Sequence, residues 1–473
     1  MKILIIGDYP LFYGGVTNYT RPLAEELSKK HDVIYLYNST RTGNNTFKFG
    51  TKILNRKLND INFASFELVN GKASYLNYKN LYYDFSDWPN KYISNFIEKI
   101  KPDVIHINEI FGFSSSVIKL LKRTEIKVYI TVHEYWWLCP HRVMVDFNKR
   151  ICEGPFDMQK CAYCVSKKQN NKSDNYTKFI AKLNHDFPFF VDMGLHIKNR
   201  ITSSNESQNE NSFENINFGN DDYKDYKNPK LEEQLKKRLN ANIEALNLCD
   251  KVIAVSTDVK NILTKYGVNP ENILVQHIGS TIAEKSIKHT KTINPKEIVF
   301  GFIGGVGYYK GVHQLVDAFS RLPEKLKNNA KLKIFGKYGE AYFNTMKRDI
   351  IKEEDKDRII FYGRYIPEDI PEITNQIDIS VLPSLCADTA PQTIFESFSS
   401  GLPIIAPNVG GFPDFVKNGF NGIIYKNSDV ESLKEALERI INNPMEINDF
   451  QKNIPKVKTI NENVQELIEL YSD

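Results

Sequence analysis

Residues 388–411 read DTAPQTIFESFSSGLPIIAPNVGG, and the fold class turns on them. They follow an apolar run at 378–383 with the pattern of a buried strand, closed by the turn-like pair Pro383-Ser384. Pro391 is expected to open a helix, because its fixed φ suits a first turn and its missing N–H is not needed there. Ile394, Phe395 and Phe398 give that helix an apolar side, Gly401 stops it, and residues 403–406 form the next strand. Strand, helix and strand joined by short loops make a parallel-sheet unit, whose ligand lies at the carboxyl end of the strands. The helix start, with Pro391, Gln392 and Thr393, turns N–H groups outward and favours a phosphate. Asp388 and Glu396 cannot sensibly hold that anion, but they can accept hydrogen bonds from the hydroxyls of a ribose or a hexose. The plainer reading is a helix-end charge at Asp388 and a solvated Glu396.

The stretch resembles the donor site of the retaining GT-B glycosyltransferases of family 4, whose pattern is Glu, seven residues, Glu, a small-residue helix, Gly-x-Pro and an apolar strand. The resemblance implies a nucleotide-diphosphate sugar as donor and assigns Glu396 to its ribose. Asp388 stands where the family's first glutamate contacts the donor sugar. The shorter acid keeps the charge but draws it back by about one methylene, a departure from the pattern.

A second glycine-rich loop follows the continuous apolar strand expected at 298–303: Gly304-Gly305-Val306-Gly307-Tyr308-Tyr309-Lys310-Gly311. Its glycines allow close backbone approach to an anion, and Lys310 supplies a point charge for a diphosphate. No Gly-Lys-Ser/Thr ends it, so it is not a P-loop. It resembles the family's Gly-Arg followed by Lys-Gly, with Gly305 where the arginine normally stands. Further strands are expected at 331–335, 359–362 and 423–425, with helices around Leu433–Ile440 and at 460–470.

The N-terminal half opens with a strand at 3–6, a loop bearing Gly14-Gly15, a helix marked by Val16, Tyr19, Leu23 and Leu27, and a strand at 33–37. The glycine pair is no Gly-x-Gly-x-x-Gly fingerprint. It reads as an ordinary turn, or by resemblance as the loop that lets the backbone approach the donor diphosphate. Residues 40–90 are polar and tyrosine-rich, without a period that places strands. Strands at 103–108 and 127–132 follow, and the second runs into His133-Glu134-Tyr135-Trp136-Trp137. A histidine at a strand's carboxyl end stands where ligands bind, and the resemblance implies that it contacts the donor sugar; a core or capping histidine is the other reading. Trp136 and Trp137 offer stacking faces to a sugar or, more commonly, belong to a core.

Four of the six cysteines fall together, Cys139, Cys152, Cys161 and Cys164, the last two as Cys-x-x-Cys. In a cytoplasmic protein such a group argues for a metal rather than disulfides, here a structural Zn²⁺ with four thiolates and no open position; unliganded thiols are the alternative. Cys249 and Cys386 read as small buried residues. Residues 165–230 read as an insertion with a polar middle that buries too little apolar surface to order itself. The helix expected at 231–248 carries Lys236-Lys237-Arg238, a solvated face or a contact with a membrane surface.

The 473 residues suffice for two or three domains, 41% of them are hydrophobic, and a net charge of +4 is too small to argue for nucleic acid. No apolar run reaches the ~18 residues of a spanning helix, and the short run after Met1 is no signal peptide, so a cytoplasmic protein is expected, at most peripheral at the inner membrane face. The reading is α/β, a GT-B architecture of two Rossmann-like domains facing across a cleft. Residues 1–283 form the acceptor-side domain, 284–295 a linker and 296–458 the nucleotide-sugar-binding domain, with 459–473 a helix that crosses back. The function implied is sugar transfer with retention, without a cofactor, to a glycan, lipid-linked or small-molecule acceptor in cell-surface glycan synthesis. A non-catalytic partner subunit and a sugar-nucleotide epimerase or phosphorylase are the rival readings.

Overall fold

The computed structural model describes residues 1–12, 14–39, 51–71, 78–152, 154, 157–167, 222–285 and 292–472. The expected polar insertion therefore lies mostly outside the described residues, as do residues 286–291 of the expected linker. The chain divides into two compact units, one holding the described residues up to Ile278 together with those from Ile460, the other holding Gly279–Thr459.

The first unit is built on an eight-stranded sheet in the order β3-β4-β2-β1-β5-β6-β7-β8. Its strands are β1 (Lys2–Gly7), β2 (Asp32–Asn38), β3 (Lys52–Arg56), β4 (Ala64–Val69), β5 (Val104–Ile107), β6 (Lys127–Val132), β7 (Lys251–Ala254) and β8 (Ile273–Val275). Ile3, Leu4, Ile5 and Ile6 are wholly buried, as a central parallel strand covered on both faces requires. All pairings are parallel except β3 with β4. The chain runs outward from β1 through β2 to β4, then returns to β5 on the other side of β1. The strand order reverses between β1 and β5, and in such a sheet the crevice outside their carboxyl ends is where a ligand sits.

The helix Pro229–Leu248 opens on Asn228, whose side chain accepts from the Leu231 N–H, with proline in its first turn. Its basic run is not a uniform solvated face. Lys236 and Lys237 are exposed, but Arg238 is buried. Arg238 pairs with Asp84 at 2.7 Å and donates to the Trp136 carbonyl at 2.7 Å, and its guanidinium lies 4.5 Å from the Trp136 ring. Trp136 and Trp137 are both buried, so they serve the core and not a sugar-stacking face. The helix Ile460–Ser472 packs on the same unit: Tyr19 donates to Asn463 Oδ1 at 2.8 Å, Tyr129 to the Leu470 carbonyl at 2.8 Å, and Tyr471 meets His106.

The second unit has a six-stranded sheet in the order β11-β10-β9-β12-β13-β14, parallel throughout. Its strands are β9 (Ile298–Ile303), β10 (Ala330–Phe335), β11 (Ile359–Gly363), β12 (Ile379–Val381), β13 (Ile404–Pro407) and β14 (Gly422–Tyr425). Phe300, Leu332, Ile334, Ile379 and Ile405 form its core with Leu315, Phe319, Leu437 and Ile440 from the helices Val312–Ser320 and Val430–Asn442. Here the order reverses between β9 and β12, which puts the loops after Ile303 and Val381 at the ligand-binding edge. Among the described residues, no helix is long and apolar enough to cross a membrane.

Arg238 and Asp84 are 1% and 2% exposed, so removing one partner strands a buried charge. Arg238→Ala is expected to destabilise the first unit by about 3–5 kcal/mol, read as a lower urea midpoint. Leucine at both positions should recover most of that loss.

Candidate donor and strand-end sites

In the second unit, Lys310 ends a short turn, Tyr308–Lys310, directly after the glycine loop. Gly311 follows with φ 69°, and a Cβ there would lie 1.7 Å from the Pro383 carbonyl oxygen. Only glycine allows both the left-handed backbone and this approach. The Leu385 N–H donates to the Tyr309 carbonyl at 2.9 Å, which ties the loop after β12 to the lysine turn. As a result, two residues far apart in the chain meet: Lys310 Nζ lies 2.9 Å from Asp388 Oδ2 and 3.2 Å from Oδ1. Burial works against the ammonium, but the carboxylate raises its pKa overall.

Asp388 is held from other sides too. The Ser384 hydroxyl donates to Oδ2 at 2.9 Å, and the Cys386 thiol lies 3.7 Å from Oδ1. The Asp388 carbonyl accepts from the Gly411 N–H at 2.8 Å, and Asn427 donates to the Ser384 carbonyl at 3.0 Å. Cys386 is buried as expected, but it is no bystander. The parts that Ser384, Cys386 and Asn427 play around Asp388 have no signal in the sequence, because these residues hold the acid and its loop rather than carry the motif.

The helix Gln392–Ser399 begins one residue later than expected, with Pro391 as an extended cap and no capping side chain. A Cβ on Gly304 would lie 3.8 Å from Thr393 Cγ2, so the glycine loop and the helix start border one space. A Cβ on Gly305 would meet nothing within 4 Å, so the missing arginine leaves room and not a filled position. Glu396 is half-buried rather than fully solvated. Its Oε2 is buried with no hydrogen-bond partner among the described residues, and burial pushes the acid up to about 7. A cation, an uncapped helix start and a buried acceptor therefore lie along one loop and helix.

In the first unit, three strands end in acids: Asp8 after β1, Asn108-Glu109 after β5 and His133-Glu134 after β6. Arg142 gathers two of them. Its Nη2 lies 3.0 Å from Glu109 Oε2 and its Nε 2.6 Å from Glu134 Oε2, with the guanidinium 4.8 Å from the Phe111 ring. Glu109 is pushed up to about 8 by burial first and then by Glu134, against the pull of Arg142. His133 shares a hydrogen bond of 3.1 Å with Asn108 Oδ1 through Nε2 and packs 5.0 Å from the Tyr19 ring. Burial, then His106, lowers its pKa to about 3, so near neutrality the ring is uncharged. Gly14 accepts from the Asn18 N–H at 2.8 Å at the entry to the helix Thr17–Leu27, while a Cβ on Gly15 would meet nothing within 4 Å. The repeated acid at a strand end was the sequence signal for Glu109, Glu134 and Asp8, and Arg142 had none.

Cys139, Cys152, Cys161 and Cys164 line one cavity, and all are thiols rather than disulfides. Burial first, then the charges of the other three, raises the Cys161 pKa. Among the described residues, no group of three or more His, Cys, Asp or Glu is set to hold a metal ion.

Two α/β units, each built on a mainly parallel sheet, define a GT-B protein. Residues 283–457 match the family model for glycosyl transferases group 1 and residues 13–168 that for glycosyltransferase family 4. Together they span more than half of the chain, which belongs to this glycosyltransferase family. An uncharacterized glycosyltransferase of Methanocaldococcus jannaschii is 28% identical over 198 residues, 41% of this chain and 50% of that protein. The UDP-Gal:alpha-D-GlcNAc-diphosphoundecaprenol alpha-1,3-galactosyltransferase of Escherichia coli is 37% identical over 98 residues, 21% of this chain and 24% of that protein. The chain thus spans half or less of the length of these relatives. Sucrose-phosphate synthase from Thermosynechococcus elongatus superposes with a TM-score of 0.60 at 15% identity, over 100% of this chain and 98% of that one. Anabaena HepE in complex with UDP gives 0.59 at 14%, over 99% and 100%. At such identities the likeness is one of fold.

The surroundings of Cys386 make its reactivity a probe of the pair. Burial foremost, and then Asp388, push the thiol up to about 11, while Lys310 pulls it down. Alkylation followed by peptide mass mapping should find Cys386 slow at pH 8, faster in Asp388→Asn and slower still in Lys310→Met.

Proposed function

We propose that the protein is a retaining glycosyltransferase that moves a sugar from a nucleotide-diphosphate sugar to an acceptor hydroxyl. The observation that carries this reading is that Lys310 paired with Asp388, the start of Gln392–Ser399 without a capping side chain and a Glu396 oxygen without a partner among the described residues belong to one domain. Negative charge develops on the departing diphosphate, and fixed N–H dipoles and an ammonium stabilise it there at little reorganisation cost. Glu396 accepts from the ribose hydroxyls, and Asp388 directs its carboxylate to the donor sugar once the phosphate has drawn Lys310 away. His133, uncharged near neutrality, takes part by hydrogen bonding rather than as a cation. No step calls for a metal on the leaving group, and the leaving phosphate takes the acceptor proton.

The HepE structures with UDP and with UDP-glucose support a uridine donor as the first to try. The name of the Escherichia coli relative, a transferase acting on a diphosphoundecaprenol-linked sugar, supports a lipid-linked acceptor. Both fit a role in cell-surface glycan synthesis, carried out in the cytoplasm at the inner membrane face.

Incubation with a panel of sugar nucleotides should release nucleoside diphosphate, by transfer or by slow hydrolysis. Epimer formation, or no turnover with any donor, would replace this reading with one of its rivals. Lys310→Ala should slow turnover tenfold or more, since a charge-assisted hydrogen bond contributes about 1.5–3 kcal/mol.

The pH dependence of UDP binding tests Glu396. With its carboxyl at about 7 in the free protein, the group must lose a proton before both oxygens can accept, which costs about tenfold in affinity per pH unit below that value. Binding should therefore strengthen as pH rises towards 7 and level off above it. Titrations of UDP with wild type and Glu396→Gln cancel the phosphate's own ionisation, and parallel profiles would remove Glu396 from the site.

A further inference from the structure

We propose that Cys139, Cys152, Cys161 and Cys164 bind one Zn²⁺ as a closed tetrathiolate that fixes the segment following β6. The four come from three separate pieces of chain: the turn after Trp137, the residue after the Val145–Ile151 bridge, and one face of the helix Met158–Lys167. Cys161 and Cys164 are three residues apart on that helix, so their side chains project to the same side. All four border one cavity of about 40 Å³, room for an ion and far below the ~300–1,000 Å³ of a small-molecule pocket. Leu138, Met144, Val145, Met158 and Leu235 supply much of the wall. Four cysteines on the wall of an apolar chamber of that size add little as packing that other small side chains would not, whereas soft thiolates suit zinc.

No group among the described residues is already set to hold an ion, so zinc would draw the sulfurs inward rather than enter a finished cage. Each cysteine has a single side-chain torsion, and rotation about it is the motion required. Binding replaces four thiol protons by the metal, leaving a cluster of net charge −2. Lys160 stands on the cavity wall with its ammonium 3.3 Å from Asp146, a cation within the surroundings that can offset that charge. Four ligands leave no vacancy for water, which makes the ion structural. Its effect on the fold is local. The Cys139 N–H donates to the Tyr135 carbonyl at 2.8 Å, and the Cys139 carbonyl accepts from the Arg142 N–H at 3.0 Å. The ion would thus pin the turn that sets Arg142 against Glu109 and Glu134.

Elemental analysis of the full chain, purified without added metal or a metal-binding tag, should find about one zinc per chain, and less than about a tenth of that in Cys161→Ser/Cys164→Ser. If that variant fails to fold, wild type still decides the matter. A mercurial that blocks thiols should release the zinc to a colorimetric indicator, and a strong chelator should lower the melting temperature. Refolding with Co²⁺ should give the sulfur-to-cobalt charge-transfer and tetrahedral ligand-field bands of a four-thiolate site. Metal-free protein whose melting temperature ignores both chelator and added zinc would overturn the proposal. So would iron in place of zinc, or a disulfide among these four detected by mass.

Discussion

The ammonium of Lys310 is held against a carboxylate 78 residues away, and the donor-side geometry depends on that contact. It requires two backbones to come closer than any side chain would permit, which is why Gly311 lies on the Pro383 carbonyl. The Ser384 hydroxyl and the Gly411 N–H then fix the acid and its peptide. With Lys310 and Asp388 at 47% and 22% exposure, the pair contributes little to stability, about 0–1 kcal/mol. Its importance lies in orientation. An unpaired lysine would sweep a wide volume, whereas this one waits at one place with its charge offset by a single carboxylate. On the function proposed above, a diphosphate would bring more charge than that carboxylate, so it would take the lysine over and release Asp388.

The strand ends of the first unit work under a different constraint. Asp8, Glu109 and Glu134 gather near one guanidinium, and one positive charge cannot balance three carboxylates. The most buried of them gives way: Glu109 keeps its proton up to about pH 8, which lowers the charge the site must bury. His133 is uncharged for another reason, since burial first and then His106 lower its pKa to about 3. The strand ends are therefore rich in hydrogen-bonding groups, with less buried charge than their residues would suggest.

The legible parts of the chain share a physical property. Strands such as β1 and β9 are buried on both faces and read as unbroken apolar runs, and the helix Gln392–Ser399 announced itself by its proline, its apolar side and its closing glycine. The strands β3 and β4 were not placed, since β3 has no fully buried residue and lies in a polar stretch. Arg238 looked like part of a solvated basic run because its partner, Asp84, sits 154 residues away. Cys386 is buried as expected, but its contact and that of Ser384 with Asp388 have no sequence signal for a similar reason. Pattern along the chain reveals what an element needs in order to form, but not which distant group will complete its charges. The glycine loop, Lys310, Asp388 and Glu396 each stand out in the sequence as candidates, yet nothing in their spacing tells that Lys310 and Asp388 touch.

Glu396 shows why that difference matters for function. A carboxyl held at about 7, where an unfolded chain has it near 4.5, binds its proton more tightly in the native state. Below pH 4.5 both states are protonated and the burial costs nothing. As pH rises from there to about 7 the unfolded chain ionises first, and stability falls by something on the order of 3 kcal/mol. A glutamine or leucine in the same helix would avoid that loss, so packing alone gives no reason for the acid. The helix around it is otherwise well served, with Ile394, Phe395 and Phe398 buried against the sheet. What would offset the penalty is a pair of hydroxyls donating to an oxygen that has no partner among the described residues. On the function proposed above, a bound ribose would relieve that penalty.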